Sequence, residues 1–234
     1  MATRMPARTR APVTSDPVPP PPMTKTSTRS IRSPCVLWVS GMYPPHDLRE
    51  RLWSVLDPIE GSDAAHRAAL PPDTRPASVV VPILTSAPSP RVVFTRRTAT
   101  LSRHAGEISF PGGLADDGED LSSAALREVE EELGIAPADV ELVGVLPSVH
   151  THVSAILIVP FVGLLATDPR FTPNEAEIDS VLEFPLEDLM TVGAEREWEW
   201  EGHRFRTWVY DMDGEVIWGA TALILQSLVG RLRP

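Results

Sequence analysis

The sequence predicts an α/β protein. Two observations carry that expectation. Apolar, β-branched runs of strand length occur at Ser78–Leu84, Arg91–Thr95, Val140–Leu146, Ala155–Leu165 and Val181–Pro185. Among and after them lie two segments with helical spacing. One runs from Ser122 to Leu133 and is closed by Gly134; the other opens at Ile217–Ala222 with Thr221, Leu225, Leu228 and Leu232 as its core stripe. A hydrophobic content of 42% over 234 residues supports a packed core, at a length that fits one domain with tails or at most two small domains.

Taken from the N-terminus, residues 1–34 form a tail rich in Pro, Thr, Ser and Arg, with the run Pro19–Pro22. Too few apolar side chains are present there to offset the entropy of ordering, so disorder is expected. Its lack of acids is shared with transit peptides, but the prolines oppose an amphipathic helix and no apolar signal core is present. A floppy tail or an upstream start codon is favoured over a targeting signal. Residues 35–77 read as an N-terminal extension and 78–234 as the principal domain. Within the extension, Val36–Val39 suits a short strand. Leu48–Leu56 suits a short helix with Leu48, Leu52, Val55 and Leu56 on one side, stopped by Pro58; residues 57–77 read as loop. Ala87–Pro90 is a turn between the first two strands of the domain. Pro147–His152 reads as loop, Leu186–Met190 as a helical turn, and Trp198–Trp200 with Phe205–Tyr210 as a hairpin around Glu201-Gly202.

Charge bounds the partners. The net charge of −11 argues against general nucleic-acid binding. Residues 1–34 hold six of the 21 basic residues and one of the 32 acids, which leaves 15 basic and 31 acidic residues, or −16, for the rest. Such a body repels polyanions at long range. No apolar run of about 18 residues exists, so no membrane span is expected. The single cysteine, Cys35, excludes an internal disulfide and suits a reducing compartment, and the cytoplasm is the expected location. His150 and His152 have the spacing of a two-histidine metal pair, but no third nitrogen or sulfur ligand accompanies them.

The chemistry concentrates between Gly113 and Ile135. Five of the residues from Glu119 to Glu132 are glutamates. On a helical wheel Glu128, Glu131 and Glu132 share one face, while Ala125, Val129 and Leu133 form a neighbouring apolar face. In solvent such a cluster costs only a few tenths of a kcal/mol per like pair. Pressed against a fold, two charges ~5 Å apart at an effective dielectric of ~20 repel by roughly 3 kcal/mol. A hard dication that prefers oxygen ligands removes that penalty. Composition alone fits a solvated face as well as a metal site.

Spacing decides between them. Gly113, Glu119, Arg127, Glu128, Val129, Glu131, Glu132, Gly134 and Ile135 match every defined position of the Nudix box. The chain therefore resembles the Nudix hydrolases. The resemblance implies an α/β/α sandwich with a mixed β-sheet, and an enzyme that cleaves a nucleoside diphosphate linked to another group. It also implies that Glu128 and Glu132 bind Mg²⁺ or Mn²⁺ and that Glu131 supports the same ion or a second. Further implied are ligation by the carbonyl of Gly113, orientation of Glu128 by Arg127, and a weaker contribution from Glu119 to metal or loop. Glu128 and Glu177 both remain candidates for the general base. Glu177 lies in Asn174-Glu175-Ala176-Glu177-Ile178, a segment type the family often carries beyond the box, with Glu175 as second choice.

The stretch from Val93 to Gly113 resembles the signature of the coenzyme A pyrophosphatases within that family, on Thr95, Arg97, Gly106, Phe110, Pro111, Gly112 and Gly113. It departs at Thr98, where Ser or Ala is usual, and at Ser102, where Arg is usual; Arg103 stands one residue further on. The Trp218-Gly219-Ala220-Thr221-Ala222 start of the last helix also resembles that group. A substrate with a pyrophosphate and a 3′-phosphate needs several cationic donors, which makes Arg96, Arg97, Arg103 and His104 the substrate-binding candidates. The resemblance implies hydrolysis of coenzyme A and its thioesters to 3′,5′-ADP and 4′-phosphopantetheine. The alternatives are another nucleoside diphosphate derivative, such as ADP-ribose, a nucleotide sugar or a dinucleoside polyphosphate, and a non-catalytic nucleotide-binding module of the same fold. A small-molecule partner is expected, with no nucleic acid or membrane; a homodimer is compatible with it.

Overall fold

The structure is a computed structural model that describes residues 45–86, 89–101, 104–151, 155–200 and 203–233. The tail, Cys35, the Val36–Val39 strand, Arg103, His152 and the Glu201-Gly202 turn lie outside the described residues, as do Ala87 and Pro88.

Two ten-residue strands, β1 (Arg75–Leu84) and β7 (Ile156–Leu165), run parallel from Arg75↔Ile156 to Leu84↔Leu165 and form the centre of the sheet. Both are apolar along nearly their whole length, as strands covered on both faces must be. Every other pairing is antiparallel. β2 (Arg91–Arg97) joins β1, β5 (Glu141–Val145) and β6 (Val149–Thr151) join β7, and β8 (Ile178–Pro185) joins β2. At one end β1 and β2 part to admit two short strands, β3 (Ile108–Ser109) on β2 and β4 (Gly112–Leu114) on β1. The sheet is therefore mixed, in the order β3-β2-β1-β7-β5 with the remaining strands off that path.

Side chains that alternate along these strands build two cores. Val80, Val93, Val159 and Phe161 face a helix, α3 (Leu121–Leu133), through Leu121, Ala125, Val129 and Leu133. Val81, Phe94, Val162 and Leu164 face the opposite way. There they meet Leu48 and Leu52 of α1 (Pro45–Val55) and the stripe Ile224, Leu225, Leu228 and Leu232 of α5 (Gly219–Leu232). Helices on both faces of a mixed sheet make the expected α/β/α sandwich.

Several expectations need correction. Residues 57–77 are not all loop: Ser62–Ala68 form α2, and β1 starts at Arg75. Val149–Thr151 pair with β7 as β6 rather than forming loop. Residues 215–217 form a third strand, β11 (Glu215–Ile217), on the hairpin of β9 (Ala194–Trp200) and β10 (His203–Met212), and α5 begins only at Gly219. The helical turn expected at Leu186–Met190 is present, as part of α4 (Leu186–Val192) after β8. Thr221 is only half-buried; Ala222 and Ile224 take the core side of α5 instead. Among the described residues no helix is long and apolar enough to cross a membrane.

Candidate active site

The site is assembled around α3, and local chemistry explains where that helix starts and stops. Asp120 is its N-cap: the side chain accepts from the Ser122 and Ser123 amides at 2.9 and 3.3 Å. At the other end Gly134 adopts φ 69°, and its amide donates to the Glu130 carbonyl at 2.9 Å. A Cβ at Gly134 would collide with the Thr172 side chain. The amides of Thr172 and Asn174 donate to the Leu133 and Glu132 carbonyls at 2.9 and 3.0 Å, so the segment after β7 closes the helix. That closure brings Glu177 to the site, because its own amide donates to Asn174 and its carbonyl accepts from Thr98 at 2.8 Å.

The loop before α3 is anchored from behind. Phe110 stacks on Phe94 in the core with ring centroids 4.8 Å apart, and the Pro111 carbonyl accepts from Val80 at 3.0 Å. Gly112 then passes so close to β1 that a Cβ would stand 2.6 Å from the Val79 Cα. At Gly113 a Cβ would stand 2.5 Å from Glu128 Oε1, so glycine lets the main chain lie against that carboxylate without turning it aside.

The three box glutamates sit at three depths. The Glu132 side chain is 4% exposed, Glu128 16% and Glu131 57%. Glu132 stands three residues beyond Val129 and seven beyond Ala125, so it falls on the apolar stripe itself. Its Oε2 accepts from the Gly112 amide at 3.3 Å, and its Oε1 lies 3.7 Å from an Arg97 guanidinium nitrogen. Burial pushes its carboxyl up to about 8, against the pull of Arg97 and with a further push from Glu128 and Glu177. Glu128 is also pushed up, chiefly by burial, with Arg127 opposing and Glu131 and Glu177 adding repulsion. Glu177 is thus close enough to act on both.

Arg127 organises the rest. Its Nε and one terminal nitrogen hold the Glu119 carboxylate in a fork at 2.9 and 3.1 Å. The same terminal nitrogen donates to the Leu114 carbonyl at 3.3 Å; the other donates to Glu128 at 2.9 Å and Glu131 at 3.0 Å. Arg127 is held well above its ordinary range by Glu119 first, and Glu119 well below its own by Arg127 and the Asp116 amide. Glu119 therefore fastens the loop to Arg127.

Not every candidate converges. Arg97 stands over Glu132, but Arg96, its neighbour on β2, points to the other face. There it bonds the Ser180 hydroxyl at 3.3 Å and the Glu215 carboxylate, which removes it from the expected substrate contacts. His104 pairs with Glu107 at 2.9 Å on the exposed turn after the undescribed Arg103. Sequence reasoning missed Asp63 and Arg67 of α2, which hold the loop from outside: Arg67 donates to the Glu119 carbonyl, and Asp63 accepts from the Leu121 amide at 3.1 Å. Two polar residues in an otherwise loop-like stretch gave no signal of that.

A metal fits this donor set, although among the described residues no three carboxylate or imidazole groups already form a chelate. Glu128 and Glu131 are turned onto Arg127, and Glu132 onto Gly112. Glu132 nonetheless remains a buried carboxylate with its nearest cation 3.7 Å away, beside a second carboxylate that repels it. All the available donors are oxygen, as hard dications require.

The fold and site define a carboxylate-bearing loop and helix set against the open end of a mixed sheet. Comparison with known proteins agrees. Residues 74–208 match the NUDIX domain family. The uncharacterised Nudix hydrolase NudL of Pectobacterium atrosepticum is 39% identical over 168 residues, covering 68% of this chain and 86% of that protein. NudL of Cronobacter sakazakii is 37% identical over 157 residues, covering 66% and 81%. Among solved structures, a MutT/nudix family protein from Enterococcus faecalis superposes with a TM-score of 0.44 at 14% identity, covering 79% of this chain and 71% of that one. The chain belongs to the Nudix family of pyrophosphohydrolases. Its members generally use divalent metals such as Mg²⁺ or Mn²⁺.

Proposed function

We propose that this chain hydrolyses coenzyme A and its thioesters at the pyrophosphate, giving 3′,5′-ADP and 4′-phosphopantetheine or its acyl form. The observation that carries the reading is Arg97. It stands in the stretch that resembles the coenzyme A signature, and one of its terminal nitrogens lies 3.7 Å from the Glu132 carboxylate. A guanidinium beside a carboxylate cluster suits a phosphate brought in with a dication.

In this reading Glu128 and Glu132 hold Mg²⁺ or Mn²⁺, helped by Glu131 and the Gly113 carbonyl. The bound ion supplies Lewis-acid polarisation of the phosphates and offsets charge developing on the leaving group. Arg127 keeps Glu128 aimed from its anchor on Glu119. Arg97, with Arg103, binds the phosphates of the substrate. Water adds to one phosphorus, the bridging P–O bond breaks, and Glu128 or Glu177 takes the water proton. A purely binding role has no need of the complete Glu128, Glu131 and Glu132 set.

The test is incubation of the purified chain and Mg²⁺ with coenzyme A, ADP-ribose and NADH, with products identified by mass. Release of 3′,5′-ADP from coenzyme A is expected. Intact coenzyme A alongside rapid turnover of another compound would sink the substrate assignment.

A further inference from the structure

We infer that Asp63 and Arg67, on α2, are positioning residues for the Arg127–Glu128 pair and act through the main chain on either side of Asp120. The inference rests on the metal-site reading above. α2 ends at Ala68, before residue 74 where the match to the family begins, so this clasp belongs to the extension of this chain.

The contacts form a continuous path. Arg67 Nε donates to both Asp63 oxygens, at 2.9 and 3.0 Å, which fixes the two side chains against each other across one helical turn. From that pair Arg67 reaches the Glu119 carbonyl and Asp63 receives the Leu121 amide at 3.1 Å. Glu119 is therefore held twice, its carbonyl by Arg67 and its carboxylate by the fork of Arg127. The same Arg127 orients Glu128 at 2.9 Å. The loop between β4 and α3 turns at Gly118, where φ is 81°, and Glu119 follows that turn directly. With the clasp gone, Glu119 gains freedom to drift and Arg127 loses the anchor from which it aims Glu128. Asp63 and Arg67 neutralise each other, so the clasp acts by geometry and adds little field at the carboxylates.

The test uses the full chain and Mn²⁺ alone, with bound and free ion counted by electron paramagnetic resonance. Arg67→Met and Asp63→Asn are compared with Arg49→Met, which removes another ion pair of the same extension, that with Glu141. Asp63→Asn removes the charge that holds Arg67 and weakens the acceptor of the Leu121 amide, and it covers the case in which Arg67→Met folds poorly. Both clasp variants are expected to bind Mn²⁺ roughly tenfold more weakly, the lower end of the range for partners that orient metal ligands. Hydrogen exchange at the Leu121 amide should quicken in parallel, while Arg49→Met matches the wild type in both measurements. Wild-type Mn²⁺ affinity in the two clasp variants would overturn the inference and leave the metal site standing. Absence of Mn²⁺ binding by the wild type would overturn both.

Discussion

Glu132 occupies a position where an apolar residue would normally complete the stripe of α3. Its burial explains the raised carboxyl, and the sign of the pH dependence follows. Without metal the folded chain binds this proton up to about pH 8, whereas an ordinary glutamate carboxyl in the unfolded chain releases it near 4.5. The folded state thus carries the extra proton between those values, and the associated stability is complete below 4.5 and lost as pH rises towards 8. Each unit of that window is worth at most about 1.4 kcal/mol. Urea unfolding in EDTA at pH 5, 7 and 9 should show the loss in the wild type, and Glu132→Gln should remove it. Metal binding must expel the same proton, so Mn²⁺ affinity should climb by up to about tenfold per pH unit and level off above about 8. An affinity independent of pH between 5 and 8 would show that Glu132 does not hold this proton in the metal-free protein. The spacing of the box made these glutamates legible in the sequence, but not their depths. Those depend on Glu132 lying in register with Ala125 and Val129, and on Arg127 drawing Glu128 and Glu131 aside. Nor did the sequence separate Arg96 from Arg97, since which of two neighbours on a strand meets the site depends on the side to which α3 packs.

At the scale of elements, α3 is positioned by its two ends. Asp120→Ala removes the cap and should cost ~1 kcal/mol in urea unfolding. Gly134→Ala forces an alanine into the left-handed region, worth roughly 1–2 kcal/mol before any displacement of Thr172 is counted. Because the segment carrying Glu177 is tied to that same end, Gly134→Ala should also lower turnover more than Asp120→Ala does at equal fraction folded. Equal losses would show that closure at Leu133 and Glu132 does not govern the site. The long central strands were legible from their apolar runs. β3, β4 and β11 were not, because two or three residues carry no periodicity and their existence depends on partners distant in sequence. α2 escaped notice for a related reason: none of its residues is buried, so no apolar stripe marks it.

At the scale of the molecule, an acidic body surrounds a site that, in the proposed function, must attract polyanions. In the proposed function the site answers this locally, with Arg97 over Glu132 and a dication that would be held between carboxylates that otherwise repel one another. Dephospho-coenzyme A, which lacks the 3′-phosphate, should be a poorer substrate through kcat/KM, and Arg97→Ala should narrow the difference. Equal rates on the two compounds would show that these arginines do not read that phosphate. The most direct measurement is product identification by mass after incubation of the full chain with coenzyme A, with Mg²⁺ and with excess chelator. Metal-dependent appearance of 3′,5′-ADP together with 4′-phosphopantetheine is expected, and its loss in Glu132→Gln. Coenzyme A left intact under conditions that consume ADP-ribose, or cleavage unchanged by the chelator, would contradict it.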